Sequence, residues 1–549
     1  MTCLDIEKEA LAKKIFNVEA DEDTVKGYGS IPSTYDDEEE GLVIKETEFD
    51  IKRPYVGIGH LQDFIDEGSS AWTAEEENRV RLKTDFRIMI WASIMFFSLQ
   101  INRITIVNAV STNFLSDINV QPDDYNLGQT VFVTFFLIFE IPTQIMNTTL
   151  GPENWIPIIM TLWGIVGLTQ TFITSKASYL ITRAFLGVCM GGFVSGLVTH
   201  VSSFYKSDEM SVRLSMLWTM NFFSNVVAAL LASAIFKLDG RGGWHNWQWF
   251  FFIIGILSIM IGVATKFLMI SFKKPHLSRL YSVREQDILR ARVILDDPSK
   301  GKQLYPKSLN SRTNRFTWQD IFQTVTDKYL LIMFIFGWLG YVPSVASYLF
   351  HTVLFRDLQF DTTLANLLTI PGNVLVVISM IIASRYADKY KTRWYIPIFA
   401  MIFLLPFLIL LIALPDSASR WIRVVCITFV VGFPYYTPVM MSWVSANAND
   451  QKRRALSLAI YNISVQFGNI TSVNIYREND APYYRKGNAI LIGILVFIIL
   501  FSFSIKWYYV RENARRDKVW NDMTEEERED YTLHTTDMAN ARLDFRLKI

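Results

Sequence analysis

The most regular feature of the chain is a series of long apolar stretches separated by short polar ones. A membrane helix needs about twenty consecutive, mostly apolar residues, and a window of about nineteen residues finds about twelve such spans. The first six lie at approximately Ile88–Val110, Leu127–Met146, Trp155–Ile173, Tyr179–Phe204, Leu214–Phe236 and Trp249–Ile270. The second six lie at approximately Tyr329–Phe350, Leu364–Tyr386, Tyr395–Leu414, Ile422–Trp443, Leu456–Val473 and Ala489–Tyr509. This pattern predicts an all-α membrane protein.

A long polar segment divides the spans into two sets of six, which is typical of a transporter built from two halves. The predicted units are a disordered cytoplasmic tail at 1–83, a six-helix half at 84–271, a cytoplasmic central loop at 272–327, a second six-helix half at 328–510 and a cytoplasmic tail at 511–549. The first tail is predicted to be disordered because it is polar, acidic and without sustained periodicity.

Lysine and arginine residues cluster beside the span ends, and such clusters favour the cytoplasmic side of a membrane. They precede spans one and eleven, fill the central segment, join spans eight and nine, and follow span twelve. All of these positions fall on one side if the span count is even, so both ends of the chain are predicted to be cytoplasmic. The loop with Arg477, Arg485 and Lys486 disagrees, although Glu478 and Asp480 share it.

Composition narrows the possible functions. Charged residues make up 19% of the chain, below the roughly 25% of soluble domains, and a net charge of zero gives no reason to expect nucleic acid as a partner. Cys3, Cys189 and Cys426 have no disulfide or metal-site spacing. Because no phosphate-binding loop, nucleophile elbow or zinc pattern is present, we predict no enzymatic activity, no cofactor and no metal.

A small set of charged residues inside the spans is of particular interest: Arg103, Glu140 and Arg183. A charge near the centre of a bilayer costs several kcal/mol unless a partner or a watery cavity receives it, so these residues indicate a solute pathway. The planar guanidinium of Arg103 could bind an anionic substrate with two parallel hydrogen bonds. The alternatives are a structural ion pair with Glu140, or extension of the side chain to the membrane interface.

Two groups could carry a proton. Glu140 lies in mid-span beside Pro142, and desolvation could raise the pKa of its carboxyl toward neutrality, although a purely structural role is equally open. His200 titrates near neutral pH in water, but a single histidine in a membrane helix is more often a hydrogen-bonded packing residue.

Further polar and aromatic side chains could line a substrate cavity. We predict substrate contacts for Tyr341, Tyr435, Trp443, Asn462 and Gln466. Hydrogen bonds between helices would explain the two amides equally well, and aromatic residues are common in membrane helices.

Two motifs resemble the major facilitator superfamily. The loop after span eight reads ASRYADKYKTR and is similar to the signature loop of that superfamily, which implies a gating role for Asp388 and Arg393. A solvated basic loop is the alternative. Span four carries Arg183 followed by Gly187 and Gly191, similar to the motif of the superfamily's fourth helix. Glycines at this spacing let a neighbouring helix approach closely, whereas Arg183 could serve gating or only structure.

A narrower resemblance connects the chain to the fungal allantoate permease family of anion:cation symporters. It depends on Glu140 with Pro142, on Trp443 with Asn447, and on the element YRENDAPYYRKGN that begins at Tyr476. The resemblance implies a plasma-membrane carrier that imports small carboxylates or related anions with protons, and the sulfonate and sulfur-anion branch is the most similar. We therefore expect a monomer whose partners are a small anionic solute, protons and membrane lipids.

Two positions depart from that family, and two other functions stay open. Asn102 stands where relatives commonly have an acidic residue, and Ile254 stands where many have a glutamate. Glu140 is then the main carboxylate inside the spans. The fold also permits export of drugs or metabolites by antiport, and a nutrient receptor that binds without transport is the second alternative.

Overall fold

The computed structural model describes residues 71–549 apart from 111, 236–237, 273–279, 298–299, 301–315, 361, 536 and 538, and every regular element in the described residues is a helix. Residues 1–70, most of the first predicted tail, lie outside the described residues. The helices up to the central segment are α1 Ala74–Thr84, α2 Ile90–Val110, α3 Phe114–Asp117, α4 Pro122–Leu150, α5 Pro152–Thr169, α6 Lys176–Met190, α7 Phe193–Ser202, α8 Met210–Ile235, α9 Asn246–Leu268 and α10 Val283–Asp296.

The remaining helices form the second half and the end of the chain. They are α11 Trp318–Val325, α12 Lys328–Leu339, α13 Tyr341–Asp357, α14 Thr362–Tyr390, α15 Tyr395–Ala413, α16 Arg420–Val431, α17 Thr437–Ala446, α18 Gln451–Val473, α19 Arg485–Asp522 and α20 Glu525–His534.

Twelve helical crossings follow from these elements, as predicted. In the described residues, 10 helical segments are long and apolar enough to cross a membrane by themselves. Span ten is split into α16 and α17, and span eleven, α18, carries the polar residues Asn462, Gln466 and Asn469 along its length. These two features explain why length and hydropathy alone miss spans ten and eleven.

Each half forms its own helix bundle. In the first half α4 packs against α6, α5 against α9 and α2 against α8, and in the second half α15 packs against α19 and α12 against α18. The spans alternate in direction, so α1, α10 and α20 all lie at one face of the bundle, which we call the tail face. The C-terminal ends of α4, α7 and α14 lie at this face too.

The prediction that residues 1–83 are disordered is wrong for residues 74–83, which are helical. Thr73 and Glu76 form a capping box that satisfies the first backbone N–H groups of α1. Glu76 also accepts a hydrogen bond of 2.9 Å from Arg284 of α10. The capping box is local and was overlooked in the sequence, whereas the contact with Arg284 comes from a distant part of the chain that local composition could not reveal.

Candidate functional site

Arg103 is the charged residue at the centre of the candidate site. Its guanidinium lies over the rings of Phe132 and Phe136 in span two, at 5.5 and 5.0 Å from the ring centroids. It interacts electrostatically with Tyr341 of the second half and with Glu140. With the residues that the structure describes it makes no hydrogen bond or ion pair, and its side chain is half-buried.

Asn102, the neighbour of Arg103, turns in another direction. Its Nδ2 donates to Ser258 Oγ of span six at 2.5 Å, and the side chain is only 4% exposed. Successive residues on a helix are about 100° apart, so Asn102 faces span six while Arg103 faces span two. Asn102, one of the two positions at which the sequence departs from the allantoate permease pattern, therefore belongs to the packing of the first half.

Glu140, a residue of span two, is hydrogen-bonded to a break in span four. Its Oε2 accepts the backbone N–H of Gly192 at 2.8 Å, and its Oε1 accepts the hydroxyl of Ser195 at 2.8 Å. Gly192 has a φ of +73° and separates α6 from α7, so its N–H points out at the N-terminus of α7. A helix N-terminus stabilises a negative charge, and this carboxylate is fully buried there.

Two glycines of span four bring it close to span two. A Cβ added to Gly187 would lie 2.5 Å from the backbone oxygen of Phe132, and one added to Gly191 would lie 2.8 Å from that of Phe136. The spacing of four residues places both on one helix face. The close approach also positions the phenylalanines that lie beneath Arg103.

The tyrosine pair of the second half lies at two further helix breaks. Tyr341 begins α13 directly after Gly340, and Tyr435 lies between α16 and α17. The hydroxyl of Tyr435 donates to that of Tyr341 at 3.3 Å. Tyr435 also contacts Phe222 of span five across the two halves, with the ring centroids 6.3 Å apart.

Two amides of span eleven lie on one helix face. Asn462 is 5% exposed and lies beside the Glu140 carboxylate. Gln466, one turn further along, accepts a hydrogen bond of 2.9 Å from Asn469. Span eleven packs against α4 and α7, so this face meets the first half near Glu140.

Two predicted site residues, Arg183 and His200, have contacts outside this cluster. Arg183 donates to Gln170 and lies over the ring of Tyr179, both within the first half. His200 is 4% exposed and its ring contacts Phe204.

Trp443 was predicted to bind substrate, and its position speaks against that role. It lies near the tail face, where its Nε1 donates to the backbone oxygen of Lys548 at 2.7 Å, and it is only 2% exposed. The indole donor is therefore already used by the end of the chain.

The loop after span eight joins the two halves at the tail face. The carboxylate of Asp388 accepts the backbone N–H groups of Ser211 at 3.1 Å and Val212 at 2.8 Å, at the start of α8. The partner of this carboxylate is therefore the N-terminus of a helix in the other half. The guanidinium of Arg393 donates to the backbone oxygen of Ser207.

An exposed ion pair accompanies these bonds. Lys391 lies 3.1 Å from Asp208 of the first half, and its side chain is 74% exposed. The hydrogen bond to Asp208 raises the pKa of the Lys391 ammonium above its usual value. Burial lowers the pKa of the Arg393 guanidinium, and the nearby Asp388 opposes this shift. Asp388, Lys391 and Arg393 with their partners are called the tail-face latch below.

Sequence reasoning missed the residues that complete the cluster. Ser195 and Gly192 hold Glu140, and Phe132 and Phe136 support Arg103. In the sequence, the pair Gly191-Gly192 followed by Ser195 was the available signal for a helix break that could bind a carboxylate. In the part of the chain that the structure describes, no three His, Cys, Asp or Glu side chains are grouped as metal ligands.

Comparisons with known proteins agree with this architecture. The model of the Major Facilitator Superfamily matches residues 92–473. The chain is 35% identical over 486 residues to the uncharacterized transporter YIL166C of Saccharomyces cerevisiae, covering 86% of this chain and 88% of that protein. It is 25% identical over 457 residues to the MFS-type transporter cnsO of Penicillium expansum, covering 81% of this chain and 86% of that protein.

Solved structures show the same fold at low identity. The proton:xylose symporter XylE has a TM-score of 0.56 at 15% identity, covering 76% of this chain and 95% of that chain. FucP in its outward conformation has a TM-score of 0.54 at 11% identity, covering 76% of this chain and 98% of that chain. These relatives are transporters rather than enzymes. The chain therefore belongs to the major facilitator superfamily and is a multi-pass membrane transporter of small solutes.

Proposed function

We propose that this transporter imports a small organic or sulfur-containing anion across the plasma membrane together with protons. The substrate would be a sulfonate, a carboxylate, or an allantoate- or vitamin-like anion, as in the allantoate permease family. The observation that carries the proposal is the state of Arg103. Its guanidinium lies within the membrane spans, yet no residue that the structure describes offers it a hydrogen bond or an ion pair.

An anion is the ligand that suits this guanidinium. The two phenylalanine rings attract the cation, but they leave its N–H groups without acceptors. A carboxylate or sulfonate presents two oxygens in the geometry that the planar fork matches. The hydroxyl of Tyr341, which accepts the hydrogen of Tyr435, could donate its own hydrogen to the same anion from the second half.

The direction of transport is proposed from the tail-face latch. While the latch is closed, Arg103 keeps partial exposure, so the route to it would lead from the opposite face. The clusters of lysine and arginine favour a cytoplasmic tail face. The described conformation would then be one that receives substrate from outside the cell.

Glu140 is the proposed proton site. It is separate from Arg103 in its direct contacts, because Gly192 and Ser195 hold its two oxygens. Protonation would weaken both bonds, since each is strongest to a charged acceptor. The adjacent Asn462 would transmit this change to span eleven of the second half.

The first experiment identifies the anion and tests its site. Growth of a fungal host without its own anion permeases, on single sources of sulfur, nitrogen and vitamins, selects the substrate. Uptake of that radiolabelled substrate is then compared for wild type, Arg103→Lys and Arg103→Ala at equal surface abundance. We expect partial transport with lysine, which keeps the charge but loses the fork, and none with alanine. Normal uptake by a well-folded Arg103→Ala protein would falsify the anion site.

A structural pair between Arg103 and Glu140 makes a different prediction. It requires that Arg103→Ala lowers surface abundance and that adding Glu140→Gln restores it. The two side chains form no direct ion pair in the described residues, so we expect normal abundance in the single variant and no rescue of uptake in the double one.

The second experiment tests proton coupling in vesicles with an imposed pH gradient. Glu140→Gln should abolish accumulation against a gradient and spare exchange, whereas Ser195→Ala, which removes one donor and keeps the carboxyl, should retain accumulation. Accumulation by Glu140→Gln that still follows the pH gradient excludes Glu140 as the proton site. Outward exchange driven by protons in the wild type would instead indicate antiport, and saturable binding without flux would indicate a receptor.

A further inference from the structure

Residues 539–549 lie along the tail face of the second half as an ordered segment. Leu547 is 2% exposed and belongs to the main hydrophobic core, and Phe545 and Ile549 pack against that core. In contrast, the side chain of Lys548 is exposed. The segment is therefore held by its alternating apolar residues and by its backbone.

Two asparagines bind the backbone of this segment in the same manner. Asn513 Oδ1 accepts the N–H of Leu547 at 2.9 Å, and Asn513 Nδ2 donates to the oxygen of Leu547 at 2.9 Å. Asn447 binds Lys548 in the same way: its Oδ1 accepts the backbone N–H of Lys548 at 2.8 Å, and its Nδ2 donates to the backbone oxygen of Lys548 at 3.1 Å. Each asparagine side chain bonds both the backbone N–H and the backbone oxygen of one residue, as a neighbouring strand would. Binding therefore does not depend on the side chains of Leu547 and Lys548.

Three further donors, two of them buried, are directed at the same segment. Trp443 Nε1 donates to Lys548, and the guanidinium of Arg516, which is 0% exposed, donates to the backbone oxygen of Phe545 at 2.9 Å. Asn449 donates to the oxygen of Ala539 at 2.9 Å. A buried donor without an acceptor carries the full penalty of its desolvation. The cleft is thus built to be filled by this peptide.

The segment also touches the tail-face latch. The backbone N–H of Arg393 donates to the oxygen of Ile549 at 3.1 Å. The guanidinium of the same arginine donates to the backbone oxygen of Ser207 in the first half, and to Ser442 at 3.2 Å. One residue therefore connects the docked segment to the other half of the transporter.

We propose that docking of residues 539–549 braces Arg393 against the first half and so favours the conformation that is closed at the tail face. The contacts described for the segment are made with the second half, so it acts by positioning the latch rather than by bridging the halves itself. Undocking removes the support behind Arg393 and raises the population open at the tail face. The proposal does not depend on which solute is carried.

The test measures the separation of the halves in the full-length protein in detergent. Nitroxide labels are placed at Thr149→Cys and Tyr390→Cys, two exposed positions at the tail-face ends of α4 and α14, with the native cysteines replaced by serine. Pulsed electron resonance then gives the distance distribution between the labels. An open tail face adds a population at longer distance.

Three variants separate bracing from general stability. Deletion of residues 539–549 removes the brace, and Lys548→Pro removes the N–H that Asn447 accepts. Lys548→Ala is the matched control, because it changes an exposed side chain and keeps both backbone bonds. We expect the longer-distance population to rise about fivefold in the deletion variant, because the docked segment adds one net hydrogen bond, from the N–H of Arg393 to Ile549, to the closed latch. The population should also rise in Lys548→Pro, where docking is weakened, and stay at the wild-type level in the control.

Addition of a synthetic peptide with the sequence of residues 539–549 to the deletion variant should restore the wild-type distribution. If the deletion variant does not fold, Lys548→Pro alone decides. Unchanged distances in Lys548→Pro overturn the proposal, even if its melting temperature falls, because a merely structural segment predicts that result. An equal shift in Lys548→Ala overturns it too.

Discussion

Asp388 offers the sharpest quantitative test of the tail-face latch. Its two oxygens accept backbone N–H groups of Ser211 and Val212 at 3.1 and 2.8 Å, and both bonds must break when the halves part at this face. Asp388→Asn keeps one acceptor oxygen but loses the other bond and the negative charge at the N-terminus of α8. Hydrogen bonds to charged groups contribute about 1.5–3 kcal/mol, and a charge at a helix terminus adds typically 0.3–1 kcal/mol.

We therefore expect Asp388→Asn to cost the closed conformation about 2 kcal/mol, which is roughly a 30-fold shift of the equilibrium. The label pair at Thr149→Cys and Tyr390→Cys measures this shift as a longer-distance population. The control is Asp208→Asn, which removes the exposed pair with Lys391 and a weaker electrostatic interaction with Arg393 but no bond to α8. Such pairs contribute about 0–1 kcal/mol, so the control should shift the equilibrium by at most about fivefold.

Two results would refute this reasoning. If Asp208→Asn opens the tail face as far as Asp388→Asn does, net charge rather than helix capping governs the latch. If Asp388→Asn leaves the distances unchanged while the labelled wild type responds to other latch variants, the bonds to α8 persist in both conformations.

Three further outcomes are expected. Gly187→Ala should lower thermal stability by about 1–3 kcal/mol through overpacking, because a Cβ there meets backbone at 2.5 Å, whereas Gly493→Ala, with nothing within 4 Å, should be neutral or stabilising; equal melting temperatures would contradict this. Arg183→Ala should reduce folded yield, since the residue is 3% exposed and hydrogen-bonded within the first half; loss of uptake at normal yield would instead indicate a direct role. Tags at Met1 and Ile549 should both resist external protease in intact cells, and cleavage of either one would overturn the proposed orientation.

The fold could be predicted because it depends on properties that repeat along the chain. Apolar length alone placed the spans, and the polar segment after residue 271 separated the halves. The boundaries were less accurate where helices extend beyond the apolar core, as α19 does by continuing to Asp522. Polar helical turns outside the membrane are stabilised by caps and distant contacts, and hydropathy does not record these.

The candidate site could be predicted only in part, because its geometry depends on contacts between distant residues. Glu140 and Arg103 were found because a charge in an apolar span is conspicuous. The partners of Glu140 were missed, since Ser195 lies 55 residues away in sequence. Trp443 was assigned to the cavity on its residue type alone, and its actual partner, Lys548, lies 105 residues further along the chain.

The helix breaks explain why Arg103, among the polar residues of the spans, marks the site. A broken membrane helix frees backbone groups that must find partners inside the protein. The N–H of Gly192 is satisfied by Glu140, the oxygen of Gly340 by the hydroxyl of Tyr436, and the oxygen of Gly432 by Ser379 at 3.2 Å. Each of these side chains thus has a structural reason to be where it is. Arg103 repairs no break and makes no hydrogen bond or ion pair with a described residue, which is why we propose that its charge serves a ligand that arrives from outside the protein.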